Sequence, residues 1–402
     1  MKQSGEIFTK MKKIRNGLLA LASLAISLII VEIALTLFIF NPNYYYPFKP
    51  YTQWAFNLSK SVSPSANGPT VFSTNRYGIR GDEPDSEHDI RLLVLGGSTA
   101  ENLYIDDKDA WPQVLQSLLR SHFNYDGIWV GNAGKSGIRA HENVLYLKHF
   151  VPQIDDIRYL LVLLGSNDLG IAFGMANLDD WNPHQRLRHA FQFLPNDNGK
   201  YFPYNTAVFG VIDEVIAKYS QWQSGVVQDR SGEWILTARQ RRKNSRPYLD
   251  KMPDLQSNVN LYHERLNQFV DLARASNIEP IFITQPLLHN ANITPEEDAS
   301  IGVFAGKGSF HDLMYGPDPI FYSPGIVGEA IEFFHDATMD VCHVRKMNCV
   351  ELAAKLPKQL DYFYDGVHYT VRGNHKIAEI IFSEITTQLD FYTNKEIYDK
   401  VP

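Results

Sequence analysis

The sequence predicts an α/β fold with a mostly parallel sheet of about five strands, preceded by one helix able to cross a membrane. Three observations predict it. Short unbroken apolar runs, such as Leu92–Leu95 and Leu160–Leu164, fit strands buried on both faces. Each such run ends in a glycine-containing or polar turn and is followed by a segment of helical periodicity, the alternation of parallel strands with crossover helices. From Gly17 to Phe40 the chain is almost wholly apolar, long enough to span a hydrocarbon core of about 30 Å.

Composition narrows the class. The 402 residues suffice for one large α/β domain with insertions, or for two domains. An apolar content of 44% is that of a globular chain with a sizeable core. The formal net charge of -7 gives no support for nucleic-acid binding, which wants a basic face. Cys342 and Cys349 are the only two cysteines, too few for a disulfide scaffold or a four-cysteine zinc site. They are either two thiols or one disulfide, the latter if they lie in an oxidising compartment.

In chain order, residues 1–16 form a basic tail, with Lys2, Lys10, Lys12, Lys13 and Arg15 against Glu6. Residues 17–40 are the transmembrane anchor, interrupted by Glu32. The basic flank predicts a cytoplasmic N-terminus and puts the rest of the chain on the far side, periplasmic or extracellular. A cleaved signal peptide fits less well: the apolar run is too long, and its small residues at Ala20–Ala22 come too early. Tyr44, Tyr45, Tyr46, Phe48 and Trp54 fit an interfacial aromatic belt. Residues 41–90, rich in proline, read as linker and lead-in, and 91–390 as the main domain.

Within that domain a helix is expected from about Ala110 to Phe123, capped by Asp109 with Pro112 in its first turn. Trp111, Val114, Leu115, Leu118 and Leu119 share its core face. A strand at Ile128–Val130 runs into the glycine-rich turn Gly131–Gly137, and helix His141–Phe150 follows. The next strand is Arg158–Leu164. Residues 170–255 break the rhythm with Trp181, Trp222, Trp234 and the basic run Arg239–Lys243, and read as an insertion capping the site. The basic run by itself reads as a solvated face. Helix Tyr262–Ala275, strand Pro280–Thr284, a loop-rich stretch 286–325, helix Gly328–Met339, a short strand Cys349–Leu352 and a closing helix Gly373–Leu389 complete the domain, before a tail at 391–402.

Polar groups gather where the strands end: Ser98, Gly137, Asn167, and the pair Asp365 and His368. Open α/β sheets form their sites outside the carboxyl ends of the strands. A serine hydroxyl attacks only when a base takes its proton, and histidine titrates in the right range. A carboxylate fixes the imidazole tautomer. Asp365 and His368 stand three positions apart, so one turn can present both. The amides of Ser98 and Gly137 and the side-chain NH2 of Asn167 could supply three donors to an oxyanion. Taken singly, Ser98 also suits a helix N-cap, Asn167 a turn, and Asp365 a turn cap.

These blocks resemble the SGNH hydrolase superfamily, the GDSL-type esterases and lipases. Its first block, usually Gly-Asp-Ser, stands here as Gly96-Gly97-Ser98. The glycine of its second block matches Gly137, its third block is Gly165-Ser-Asn167-Asp168, and its last, Asp-x-x-His, is Asp365-Gly-Val-His368. All four occur in the family's order across residues 91–388, with Gly97 in place of the usual aspartate. The lead-in Asn75–Gly81 resembles the segment before this domain in membrane-anchored bacterial members. The resemblance implies a three-layer flavodoxin-like fold, serine-based ester hydrolysis through Ser98, His368 and Asp365, and neither cofactor nor metal. The expected partners are the membrane, through the N-terminal helix, and an acylated glycan or lipid of the cell envelope as substrate; no protein partner is indicated. Other readings stay open at this point: a metal hydrolase using Asp361, Asp365 and His368, an acyltransferase with the same acyl-serine chemistry, and an inactive glycan-binding or assembly module.

Overall fold

In the computed structural model of the chain, the described residues are 2–38, 41–85, 87–175, 181–195, 206–209, 211–212, 231–302 and 304–388. The expected tail at 391–402, Trp222 and parts of the 170–255 insertion lie outside them. The chain divides into two units.

One unit is Met1–Tyr44 with Leu194–Val227. Its helix Lys2–Phe38 contains the stretch Lys10–Leu37, 28 residues of mean hydropathy 2.6, the one helix among the described residues long and apolar enough to cross a membrane. Glu32 is costly in such a helix unless its carboxylate finds donors. It accepts the backbone N–H groups of Ala207 at 2.7 Å and Val208 at 2.9 Å.

The other unit, Tyr45–Phe193 with Gln228–Pro402, holds all the strands. In chain order these are β1 (Gln53–Phe56), β2 (Thr70–Ser73), β3 (Ile90–Gly96), β4 (Ile128–Asn132), β5 (Ile157–Leu164), β6 (Glu279–Thr284), β7 (Gly306–Lys307), β8 (Ile320–Phe321) and β9 (Cys349–Val350). Five of them form a parallel sheet in the order β4-β3-β5-β6-β9. Renumbered within the sheet this is 2-1-3-4-5, the flavodoxin-like order.

The period of two along each strand sorts its side chains to the two faces. Leu92, Val94, Leu161, Leu163, Ile281 and Ile283 pack with Trp111, Leu115 and Leu119 of helix Trp111–Phe123 and with Ile377, Ile381 and Ile385 of helix Val371–Gln388. Leu93, Leu95, Leu160, Val162 and Phe282 are buried on the opposite face. There Phe269 of helix Gln256–Ala275 meets Phe282 with ring centroids 5.8 Å apart, and Phe334 of helix Pro324–Arg345 meets Tyr262.

Several elements differ from the sequence reading. Ala110, not Asp109, is the N-cap of helix Trp111–Phe123. The capping carboxylate stands one turn earlier: Asp106 accepts the N–H of Lys108, and Asp109 instead meets His375 Nε2 at 3.0 Å. The helix expected at His141–Phe150 is α-helical over Ala140–Leu145 and widens to a π turn at Tyr146–Phe150. The loop-rich stretch 286–325 carries helices Pro295–Ser300 and Phe310–Tyr315 and the antiparallel pair β7/β8. The last strand covers only Cys349–Val350, where Cys349 is disulfide-bonded to Cys342 across a Cα–Cα distance of 6.2 Å.

Of the expected linker, the described residues from Tyr45 to Ile90 pack as part of this second unit. β1 and β2 pair antiparallel, and Phe48, Phe56 and Phe72 form a cluster with Tyr104 and Tyr364. The basic run Arg239–Lys243 is likewise not a solvated face. Arg239 donates to the carbonyls of Ser300 and Val62, both at 2.8 Å, Arg241 to that of Leu313 at 3.3 Å, and buried Arg242 pairs with Asp298 at 2.8 Å. A guanidinium offers five donors in a fixed fork, which suits it to pinning main-chain carbonyls of several elements from a single helix.

Candidate active site

β3 lies between β4 and β5, and the turns leaving these three strands meet at one edge. At the end of β3, Gly96 takes φ +151°, and a Cβ there would stand 2.7 Å from Leu163 O of β5. Only glycine fits that approach. The chain then turns through Gly97 into a single helical turn, Ser98–Glu101, with Ser98 as its first residue. β4 feeds the turn Ala133–Ile138, and β5 ends at Gly165 (φ +130°) before Ser166, Asn167 and Asp168.

The pair Asp365 and His368 reaches Ser98 from the loop before the last helix. Asp365 Oδ1 accepts the N–H of Val367 at 2.8 Å and of His368 at 2.7 Å, closing a local turn. Its Oδ2 stands 2.7 Å from His368 Nδ1, and His368 Nε2 stands 2.8 Å from Ser98 Oγ. With the proton held on Nδ1 by the carboxylate, Nε2 is the acceptor facing the hydroxyl. The Tyr364 ring stacks on the imidazole at 5.7 Å. Burial opposes the imidazolium, but Asp365 outweighs it, with help from Glu101, and the His368 pKa lies above its ordinary value. Burial would raise Asp365; His368 and the two backbone N–H groups overcome that and hold it below the usual carboxylate value.

Three donors lie in the turns at this edge of the sheet. The N–H groups of Ser98 and Gly137 have no hydrogen-bond acceptor among the described residues. Asn167 Nδ2 donates to Ile138 O at 2.8 Å. That bond fixes which way the amide points and leaves its second N–H unused. A Cβ on Gly97 would lie 2.2 Å from Asn167 Nδ2, so the amide sits directly against the backbone preceding Ser98. The structure thus brings Ser98, His368, Asp365 and Asn167 to one edge of the sheet, with Gly137 in the adjoining turn. Asp361 is turned elsewhere, paired with Arg372 at 2.7 Å, and no three His, Cys, Asp or Glu side chains gather as metal ligands do among the described residues.

Sequence reasoning missed three residues here. Buried Arg80, from the lead-in, donates to the carbonyls of Glu101 (2.6 Å), Asn102 (2.8 Å) and Ile105 (2.9 Å) and pairs with Asp107 at 2.6 Å. Its backbone exchanges two 2.9 Å hydrogen bonds with Asn132, at the head of the Gly137 turn. Arg80 therefore ties the Ser98 helix to that turn. Buried Glu101, three residues after Ser98, accepts the hydroxyl of Ser136, the neighbour of Gly137; burial raises its pKa. The spacing of three from Ser98 was the available signal for Glu101. His189, from the insertion, gave none.

A cavity of about 1040 Å³, lined by Arg76, His88, Arg91, Tyr125 and Arg158, opens at the opposite, amino end of β3 and β5, away from this chemistry.

No protein-family model matches this chain, and no curated protein does. Solved structures do. A member of the lipolytic protein G-D-S-L family from Veillonella parvula is matched at 9% identity, over 75% of this chain and 100% of that one, with a TM-score of 0.37. An acetylxylan esterase from Geobacillus stearothermophilus is matched at 11% identity, over 74% and 94%, with a TM-score of 0.39.

Proposed function

We propose that this protein is a serine-dependent carboxylic ester hydrolase of the SGNH type, anchored by its N-terminal helix. Its substrates are acyl esters, O-acetyl groups foremost, on cell-envelope glycans or lipids. The observation that carries the reading is the unbroken chain of contacts from Asp365 through His368 to Ser98.

In this reading Ser98 Oγ attacks the acyl carbon while His368 Nε2 takes the hydroxyl proton. The carbonyl oxygen becomes an oxyanion that receives the N–H groups of Ser98, Gly137 and Asn167. Collapse breaks the ester bond, and the departing alcohol takes the proton from His368. A water then gives its proton to His368 and attacks the acyl-Ser98 ester. The second oxyanion collapses, breaking the acyl bond to Ser98 Oγ and releasing the acid, and His368 returns its proton to Ser98. Asp365 stabilises the imidazolium throughout without itself taking the proton.

The test is labelling of the detergent-solubilised full-length chain with a fluorophosphonate, followed by peptide mapping. The label is expected on Ser98, and Ser98→Ala and His368→Ala are each expected to lose nearly all p-nitrophenyl acetate turnover while staying folded. Label on another serine, or full turnover in folded Ser98→Ala, refutes the assignment.

The catalytic body, 91–390, belongs outside the cytoplasm in this reading. The basic flank of the anchor and the disulfide both support that side. Alkaline phosphatase fused after Trp54 is expected to be active; an inactive fusion at normal expression contradicts the topology.

A further inference from the structure

The helix Pro183–Ala190 brings a second histidine to the turn that carries Gly137. The helix opens with a capping box, Asn182 and Gln185 exchanging two 2.9 Å hydrogen bonds, and it packs on helix Ala140–Leu145. On its last turn, His189 Nε2 lies 3.1 Å, and Cε1 3.5 Å, from the point where a Cβ on Gly137 would stand. An imidazole edge therefore occupies the space beside the second oxyanion donor.

The ring is held from behind. Its Nδ1 faces Oε1 of Glu142 at 3.9 Å, and Glu142 is wholly buried, with both oxygens taken by the Arg139 guanidinium. Burial pushes the Glu142 carboxyl up, but His189 and Arg139 outweigh it and hold it down at about 2. At 3.9 Å the carboxylate is too far for a hydrogen bond, and the buried Nδ1 has no hydrogen-bond partner among the described residues. Lys135 Nζ donates to the His189 carbonyl, and the Trp181 ring stands edge-on at 5.2 Å. Nε2, the nitrogen nearer Gly137, likewise has no hydrogen-bond partner among the described residues. The Ser98–His368–Asp365 chemistry uses none of these groups.

We propose that His189 and Trp181 form a subsite for a sugar ring, the alcohol portion of the ester. His189 Nε2 shares a hydrogen bond with a sugar hydroxyl, which can donate or accept, and the Trp181 indole covers the apolar face of the ring. A long acyl chain or a lipid tail offers no hydroxyl to the imidazole, so the pair selects a glycan. The inference rests on the esterase reading in one respect: Gly137 is taken to lie beside the reacting carbonyl.

The test separates binding from turnover. Full-length Ser98→Ala in detergent is titrated calorimetrically with a panel of partially O-acetylated xylo-, cello- and chito-oligosaccharides. At least one is expected to bind, and adding His189→Ala is expected to weaken it about tenfold, the loss of one hydrogen bond and its packing. His189→Gln, which can place an acceptor near the Nε2 position, is expected to recover most of that loss. In the protein with Ser98 intact, His189→Ala is expected to raise KM for the same glycan ester about tenfold with a much smaller fall in kcat. Binding indifferent to position 189, binding of no panel member, or a fall in kcat at unchanged KM each overturns the subsite. The two readings can fail separately. Fluorophosphonate on Ser98 with binding indifferent to position 189 defeats only the subsite. Glycan binding that depends on His189, without any label on Ser98, defeats only the esterase.

Discussion

Gly97 stands where the resembling family carries aspartate, and Gly97→Ala tests why. Its φ of -85° and ψ of -155° are open to any L-residue, so alanine strains no backbone. The Cβ is the whole perturbation. It would stand 2.2 Å from Asn167 Nδ2 and 3.3 Å from Ile138 O. To regain ordinary contact the Asn167 amide must retreat by roughly 1 Å, and a displacement of that size is known to cost about 100-fold in a catalytic constellation. It also breaks the 2.8 Å bond that aims the amide at Ile138 O. The expected result is the loss of one oxyanion donor: about 100- to 1000-fold in kcat, or about 2.7–4 kcal/mol. Stability should change by no more than about 1 kcal/mol, since the N-cap loss and the gain from a stiffer unfolded chain oppose each other. The assay is p-nitrophenyl acetate turnover alongside thermal melting. Asn167→Ala should show a loss of the same size, and adding Gly97→Ala to it should cost less than about threefold further, because the displaced group is already gone. A Gly97→Ala protein within tenfold of the parent kcat, or losses that multiply in the double variant, would falsify the placement of Asn167 as an oxyanion donor.

Two further outcomes follow from the same geometry. The base must be neutral, so kcat/KM rises as pH climbs through the His368 pKa, which Asp365 holds above the ordinary value. Asp365→Asn removes that charge while the burial stays, so residual activity should keep an acidic limb displaced to lower pH; a limb that stays or moves up contradicts the pairing. The Cys342–Cys349 bond ties the end of helix Pro324–Arg345 to the edge strand β9 across a short loop, worth about 2 kcal/mol in the chain-entropy account. Reduction should lower Tm and leave p-nitrophenyl acetate turnover unchanged; an unchanged Tm, or alkylation of both thiols before reduction, counts against the bond.

The parts of the chain that were legible in sequence are those whose cause is local. Alternating apolar runs and helical segments specify a parallel sheet because all of β3 and the Leu160–Leu164 part of β5 are buried on both faces. Gly96-Gly97-Ser98 and Asp365–His368 are legible because a tight turn and a spacing of three are properties of neighbouring residues. Residues 41–90 were read as linker because Phe48, Phe56 and Phe72 follow no period, and their burial depends on Tyr104 and Tyr364, far along the chain.

The arginines make the same point more sharply. Arg80, Arg239 and Arg241 all donate to backbone carbonyls far from them in the chain. A carbonyl has no residue identity, so a guanidinium that binds one leaves no sequence signal for that contact, even where, as in Arg80, another of its N–H groups pairs with an acid, Asp107. Arg80 looks like any charged lead-in residue, and Arg239–Lys243 like a solvated face. Yet Arg80 joins the helix that starts at Ser98 to the turn that ends at Gly137. The proposed triad is written in side chains three residues apart or at strand ends. The groups that hold it in register are written in contacts between arginine and main chain, which only the folded chain assembles.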